Sequence, residues 1–177
     1  MATKRFPRLR RTVNLDVVRL VPERRDAADG SGDAGEPATY RVAISSESET
    51  ERVDWWTGQR YIEILSHAPE AVDMSRFEAG GISFLADHDP KAGRGLLTNP
   101  AIGTDRVMRA DLRFSPTVAA RELESEVVAG TRPYTSMGYD PIRARMVETR
   151  DDGIDVWLID RWQPMEASSV TIPADLN

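Results

Sequence analysis

The chain contains two histidines, His67 and His88, and no cysteine. Imidazole-assisted chemistry must therefore run through one of two side chains, and any covalent step through an oxygen nucleophile. His88 opens the segment His88-Asp89-Pro90, with Gly93-Arg94 behind it. Ser136 lies in Tyr134-Thr135-Ser136-Met137-Gly138-Tyr139, and Glu166 in Met165-Glu166-Ala167-Ser168-Ser169-Val170. A serine hydroxyl becomes a useful nucleophile when an imidazole takes its proton, and the imidazole works best when a carboxylate fixes its tautomer and stabilises its cation. His88, Ser136 and Glu166 supply those three roles, the combination of a serine hydrolase.

Each residue also has a plainer reading. Most serines are surface hydroxyls or caps. His88 could be a turn histidine, with Asp89 accepting backbone donors. Glu166 would ordinarily be a surface acid, but it stands close to Trp162 and Val170, where partial burial would demand a partner because an unpaired buried carboxylate costs several kcal/mol. His88 is a candidate for that partner. Asp89 competes for the third role, although its adjacency to His88 makes ring-facing geometry awkward. A metal site on His88-Asp89 is the weakest reading, since zinc usually wants several imidazole or thiolate ligands and only His67 could add one. Ser136-Met137-Gly138 resembles half of a G-x-S-x-G elbow, but Tyr134 occupies the first glycine position and the expected helix precedes the serine, which argues against an α/β-hydrolase.

The elements that must position these residues are mostly short strands. Val13–Val21 is strand-like, and residues 25–38 collapse into an acidic, Ala/Gly-rich linker. Alternation resumes from Thr39, with Tyr40, Val42 and Ile44 on one face. Trp55-Trp56 and Tyr61–Leu65 suggest two strands around a turn at Thr57-Gly58. Residues 75–81 read as irregular, ending at Gly80-Gly81. Ile82–Asp87 then forms an apolar strand running into His88, and Asp89-Pro90 with Gly93 enforces a turn. Val107–Phe114 alternates most cleanly. Ser115-Pro116 reads as an N-cap with proline at the first helical position, and Ala119, Ala120, Leu123 and Val127 recur at helical spacing until Gly130. Strand signals return at Tyr134–Tyr139, Ile154–Ile159 and Ala167–Ile172, joined by an Arg-rich segment and an Asp151-Asp152-Gly153 turn. Strands do not alternate with helices as a parallel sheet would require, so the expectation is an α+β, β-dominated mixed barrel with few helices.

Composition narrows the class. A chain of 177 residues suits one domain with a real core. With 40% hydrophobic and 29% charged residues it reads as a soluble globular protein, and no apolar run approaches the roughly 20 residues of a membrane helix. No secretory signal pattern opens the chain, so intracellular synthesis is expected. The net charge of −6 argues against general nucleic-acid binding. Lys4, Arg5, Arg8, Arg10 and Arg11 nevertheless form a basic arm, suited either to a solvated tail or to an acidic partner.

The His88, Ser136 and Glu166 blocks, in this order and at these separations, resemble the caudovirus prohead serine proteases, the capsid-maturation enzymes of tailed bacteriophages. The resemblance runs roughly from Thr39 to Ala174, and the helix after Ser115 falls where the family carries one before its serine strand. It implies His88 as general base, Ser136 as nucleophile and Glu166 as third member. It also implies a barrel ringed by helices and distantly similar to the herpesvirus maturation proteases. The implied domains are an N-terminal arm and linker over 1–38 and a protease domain over 39–177. The implied activity is an endopeptidase cutting scaffold, or the scaffold-like segment of the major capsid protein, and itself, inside the procapsid in the host cytoplasm. Weak self-association in the shell is part of that picture. No metal, organic cofactor, membrane or specific nucleic acid is implied. The oxyanion donors are unassigned: backbone N–H groups of a nearby turn would serve, with Arg94 and Arg132 as cationic candidates. A non-catalytic scaffolding module on the same fold is the alternative. The acidic insertion has no clear family counterpart. The end at Asn177 fits a complete protease, a self-processed form or the protease part of a fusion.

Overall fold

The computed structural model describes residues 38–54 and 56–171 in full, and 14–19 and 23–25 as backbone. The basic arm, most of the acidic linker, Trp55 and the end of the last sequence block fall outside the described residues.

Among the described residues, ten strands and two helices follow one another in an α+β arrangement: β1 (Asn14–Arg19), β2 (Glu23–Arg25), β3 (Thr39–Ser46), β4 (Glu49–Val53), β5 (Arg60–Leu65), α1 (Ser75–Glu78), β6 (Ile82–Ala86), β7 (Gly93–Ile102), β8 (Val107–Phe114), α2 (Val118–Val128), β9 (Tyr134–Thr149) and β10 (Asp155–Val170). The strands form one mixed sheet ordered β1-β9-β10-β6-β7-β8-β3-β2, with β4 and β5 branching from β10. The hydrogen-bonded path is open, with β1 and β2 at its ends. The sheet nonetheless curls, bringing β3 within 8 Å of β1 and β9 between Cα atoms.

β10 is the hub. One edge pairs antiparallel with β9 along its length, while the other pairs parallel with β5 through Asp155–Ile159 and with β6 through Glu166–Ser169. The core lies inside the curl, where Val42, Ile44, Phe84, Leu97, Met108, Leu112, Met137, Ile159 and Trp162 are fully buried. Met108, Ala110, Leu112 and Phe114 all point inward from β8, as their alternation requires.

Several elements differ from the sequence expectation. Trp56 lies in a turn instead of a strand, because Asp54 Oδ1 accepts the backbone N–H groups of Trp56 and Thr57 at 2.7 and 3.0 Å and folds the chain back there. The α2 cap is Thr117, not Ser115: its hydroxyl accepts the Ala120 N–H at 3.3 Å. Ala120, Leu123 and Val127 face the core from α2, while Ala119 is exposed. Residues 75–81 contain the short helix α1. The Arg-rich stretch after Tyr139 continues β9. β7 is also a strand despite its glycines, and Gly95 is needed there because a Cβ would stand 2.6 Å from the Arg113 carbonyl oxygen of β8.

Candidate functional site

Glu166, Ser168 and Ser136 share one face of the sheet. Ser168 stands directly opposite Ser136 in the β9–β10 ladder, and Glu166 stands opposite Gly138, which has no side chain to compete for the space. Ala167 and Met137, paired between them, point to the other face and enter the core. The β10 phase is reset just before Glu166, where the ladder steps from Pro164↔Tyr139 to Glu166↔Gly138 and leaves Met165 as a bulged residue. Such bulges re-aim side chains, and without this one Glu166 would fall on the core face.

His88 arrives from β6, the parallel neighbour of β10. The chain reverses through a four-residue turn in which Asp89 N–H donates to Ala86 C=O at 3.1 Å. Both central residues, Asp87 and His88, have positive φ, 51° and 58°. Two consecutive left-handed residues are the φ signature of a type I′ turn, normally built with Asn or Gly. Asp and His tolerate the region better than most side chains, at a cost of about 1–3 kcal/mol each. Contacts from β10 hold the turn: Asp87 N–H donates to Ser169 C=O at 3.0 Å, and His88 N–H donates to Ser168 Oγ at 3.2 Å.

The turn sets the imidazole against the carboxylate. His88 Nδ1 and Glu166 Oε1 are 2.7 Å apart, and Ser168 Oγ donates to Glu166 Oε2 at 2.7 Å, so both carboxylate oxygens are engaged. Glu166 is therefore the partner of His88. Asp89 instead accepts the Lys91 N–H through its side chain. A proton on Nδ1 donated to Glu166 leaves Nε2 as the basic nitrogen. His88 Nε2 and Ser136 Oγ are both buried and make no hydrogen bond to another described residue. The structure thus joins His88 to Glu166 directly. It brings Ser136 to the adjacent position on the same face, short of a hydrogen bond to the ring.

His67 takes no part. It is 1% exposed, its Nδ1 lies 2.9 Å from Leu65 C=O and its Nε2 2.9 Å from Ser45 Oγ, and its ring packs edge-on against Trp162. Burial lowers its pKa below the usual histidine value. Among the described residues no cluster of three or more His, Asp or Glu side chains could hold a metal ion.

Of the two arginines considered for oxyanion contact, Arg94 donates to the Gly93 carbonyl, while Arg132 is committed to Asp87 and Ser169. Sequence reasoning overlooked Ser168 as part of the site and considered Arg132 only for oxyanion contact, not for the bonds it makes to Asp87 and Ser169. Ser168 carried a signal, since a residue two positions from Glu166 on a strand must share its face.

The chain is 34% identical over 137 residues, 76% of its length, to the major capsid protein of Halomonas phage phiHAP-1. It spans 21% of the length of that relative. Among solved structures, the bacteriophage T4 capsid assembly protease, gp21, aligns with a TM-score of 0.45 and 9% identity over 90% of this chain and 99% of that one. No protein-family model matches.

Proposed function

We propose that this chain is a serine endopeptidase of phage capsid maturation, on a herpesvirus-protease-like barrel. The observation that carries the reading is the 2.7 Å contact between His88 Nδ1 and Glu166 Oε1, made by residues 78 positions apart, with Ser136 on the next strand of the same face. The sequence similarity to a phage major capsid protein supports the setting.

In the proposed reaction Ser136 Oγ attacks the scissile carbonyl as His88 Nε2 removes its proton. Glu166 holds Nδ1–H and stabilises the imidazolium, which then protonates the leaving amine. Water repeats the sequence on the acyl-enzyme. Catalytic hydrogen bonds commonly tighten only when substrate is bound, so the gap between Ser136 and the ring is compatible with this role. The substrate is scaffold, or a scaffold-like segment of the major capsid protein, together with the enzyme itself. The reaction takes place inside the procapsid in the host cytoplasm, where high concentration favours self-association.

A second reading, a non-catalytic scaffolding module, draws support from the burial of Ser136 and from the capsid-protein relative. Coexpression with the cognate scaffold and capsid polypeptides separates the two. The protease yields shortened products that disappear with Ser136→Ala. Products that persist in the variant eliminate Ser136 as nucleophile, and intact polypeptides with both forms favour the module.

A further inference from the structure

Arg132, considered above for oxyanion contact, is engaged otherwise: from a position just ahead of Ser136 its side chain bonds both the turn that carries His88 and the strand that carries Glu166. Arg132 lies on the connection from α2 into β9, four residues ahead of Ser136. Its Nη2 donates to Asp87 Oδ1 at 2.9 Å, the residue immediately before His88. Its Nη2 and Nε also donate to Ser169 C=O at 3.1 Å and Ser169 Oγ at 3.2 Å, three residues beyond Glu166 on β10. Asp87 Oδ1 additionally accepts the Thr171 N–H at 3.2 Å.

Asp87 and His88 are the two central residues of the turn, and both have positive φ. A turn with that backbone, built without glycine, is intrinsically prone to relax, and relaxation would swing the imidazole away from Glu166. A forked guanidinium suits the holding task, because it bonds a carboxylate and a second acceptor at once in a fixed plane. At 19% side-chain exposure the group is also partly shielded from competing water.

We propose that Arg132 is a positioning residue that clamps the Asp87–His88 turn to β10 and to the entry of the serine strand, so that His88 is held in its working orientation. This assignment rests on the serine-peptidase reading for its catalytic consequence, but its geometric content can be tested separately.

The experiment compares the full chain with its Arg132→Gln, Arg132→Lys and Asp87→Asn forms by two readouts. The first is the rate of covalent labelling by a fluorophosphonate probe, which reports an activated serine without a known peptide substrate. The second is the NMR resonance of the His88 Nδ1 proton, which a short bond to a carboxylate shifts downfield and protects from exchange. His67→Gln identifies the corresponding signal of the other histidine. Arg132→Gln is expected to slow labelling by about 10- to 100-fold, the scale of a displacement of about 1 Å in a reacting group, and to lose the His88 signal. Arg132→Lys, with one ammonium in place of the fork, and Asp87→Asn, which keeps the turn but drops the ion pair, should fall between it and the unsubstituted chain.

Unchanged labelling and an unchanged His88 signal in all three folded variants would overturn the clamp while leaving the peptidase reading intact. Absence of labelling in the unsubstituted chain would overturn the peptidase reading, and the His88 signal would then still decide the clamp. If Arg132→Gln does not fold, the two milder variants carry the decision by the same criteria.

Discussion

Ser136 and Ser168 face each other across adjacent strands, yet only one of the two hydroxyls is engaged in a hydrogen bond within the site. Ser168 Oγ donates to Glu166 and accepts the His88 backbone N–H, while Ser136 Oγ is held close by without a partner among the described residues. The ladder therefore separates an alcohol fixed against Glu166 and the His88 backbone from one that carries no such bond.

Replacing Ser168 by alanine removes a donor from Glu166 and strands the His88 N–H. Leaving such buried groups unsatisfied costs about 1–3 kcal/mol, so Ser168→Ala should lower the urea unfolding midpoint accordingly. Fluorophosphonate labelling should also slow by about 10-fold, as expected when a reacting group loses its fixed geometry. Reduced stability with an unchanged labelling rate would restrict Ser168 to a role in the fold.

Glu166→Gln preserves shape but reverses the hydrogen-bond logic. A carboxamide can donate to Nδ1, which drives the ring proton to Nε2 and removes the lone pair that the proposed general base requires. Labelling and peptide cleavage should fall by about 10⁴-fold with little loss of fold. A variant retaining a tenth or more of the original rate would remove Glu166 from the proposed triad.

The helix cap offers a test away from the site. Thr117 Oγ1 accepts the Ala120 N–H, whereas Ser115, the cap expected from the sequence, precedes the helix by three residues. Thr117→Ala should cost about 1 kcal/mol in equilibrium unfolding, and Ser115→Ala distinctly less. Equal losses at both positions would contradict the observed cap.

What could be read from the sequence depended on whether local pattern and tertiary role coincided. β8 was legible because strict alternation met one buried face. The His88–Glu166 pairing was anticipated because both residues stand on or beside apolar strand segments. β9 and β10 were read only in part. Their pairing contains four register shifts, and extra residues such as Ile142 and Val147 break the period of two on which the eye relies. β7 was hidden by Gly93, Gly95 and Pro100, residues that usually punctuate strands. The left-handed turn at Asp87-His88 had no glycine to advertise it. The Arg132 contact that holds this turn joins positions 45 residues apart, beyond the reach of any local pattern.

His67 should make the fold acid-sensitive independently of catalysis. Its ring is buried against Trp162, and burial depresses its pKa in the folded state. Near pH 8 the residue is neutral whether folded or unfolded, and it contributes no pH dependence. As pH falls through about 6.5, the ordinary histidine value, the unfolded chain takes up a proton that the folded one resists. Proton uptake then favours unfolding, by up to about 1.4 kcal/mol per pH unit, until pH reaches the depressed folded-state value and the dependence levels off. His67→Gln removes this contribution while leaving the carboxylates and His88 in place. Urea unfolding of the two proteins between pH 8 and pH 5 should therefore show the stability difference changing in favour of the variant as pH falls below about 6.5. Parallel curves across that range would mean that His67 takes up its proton equally well in the folded and unfolded chains.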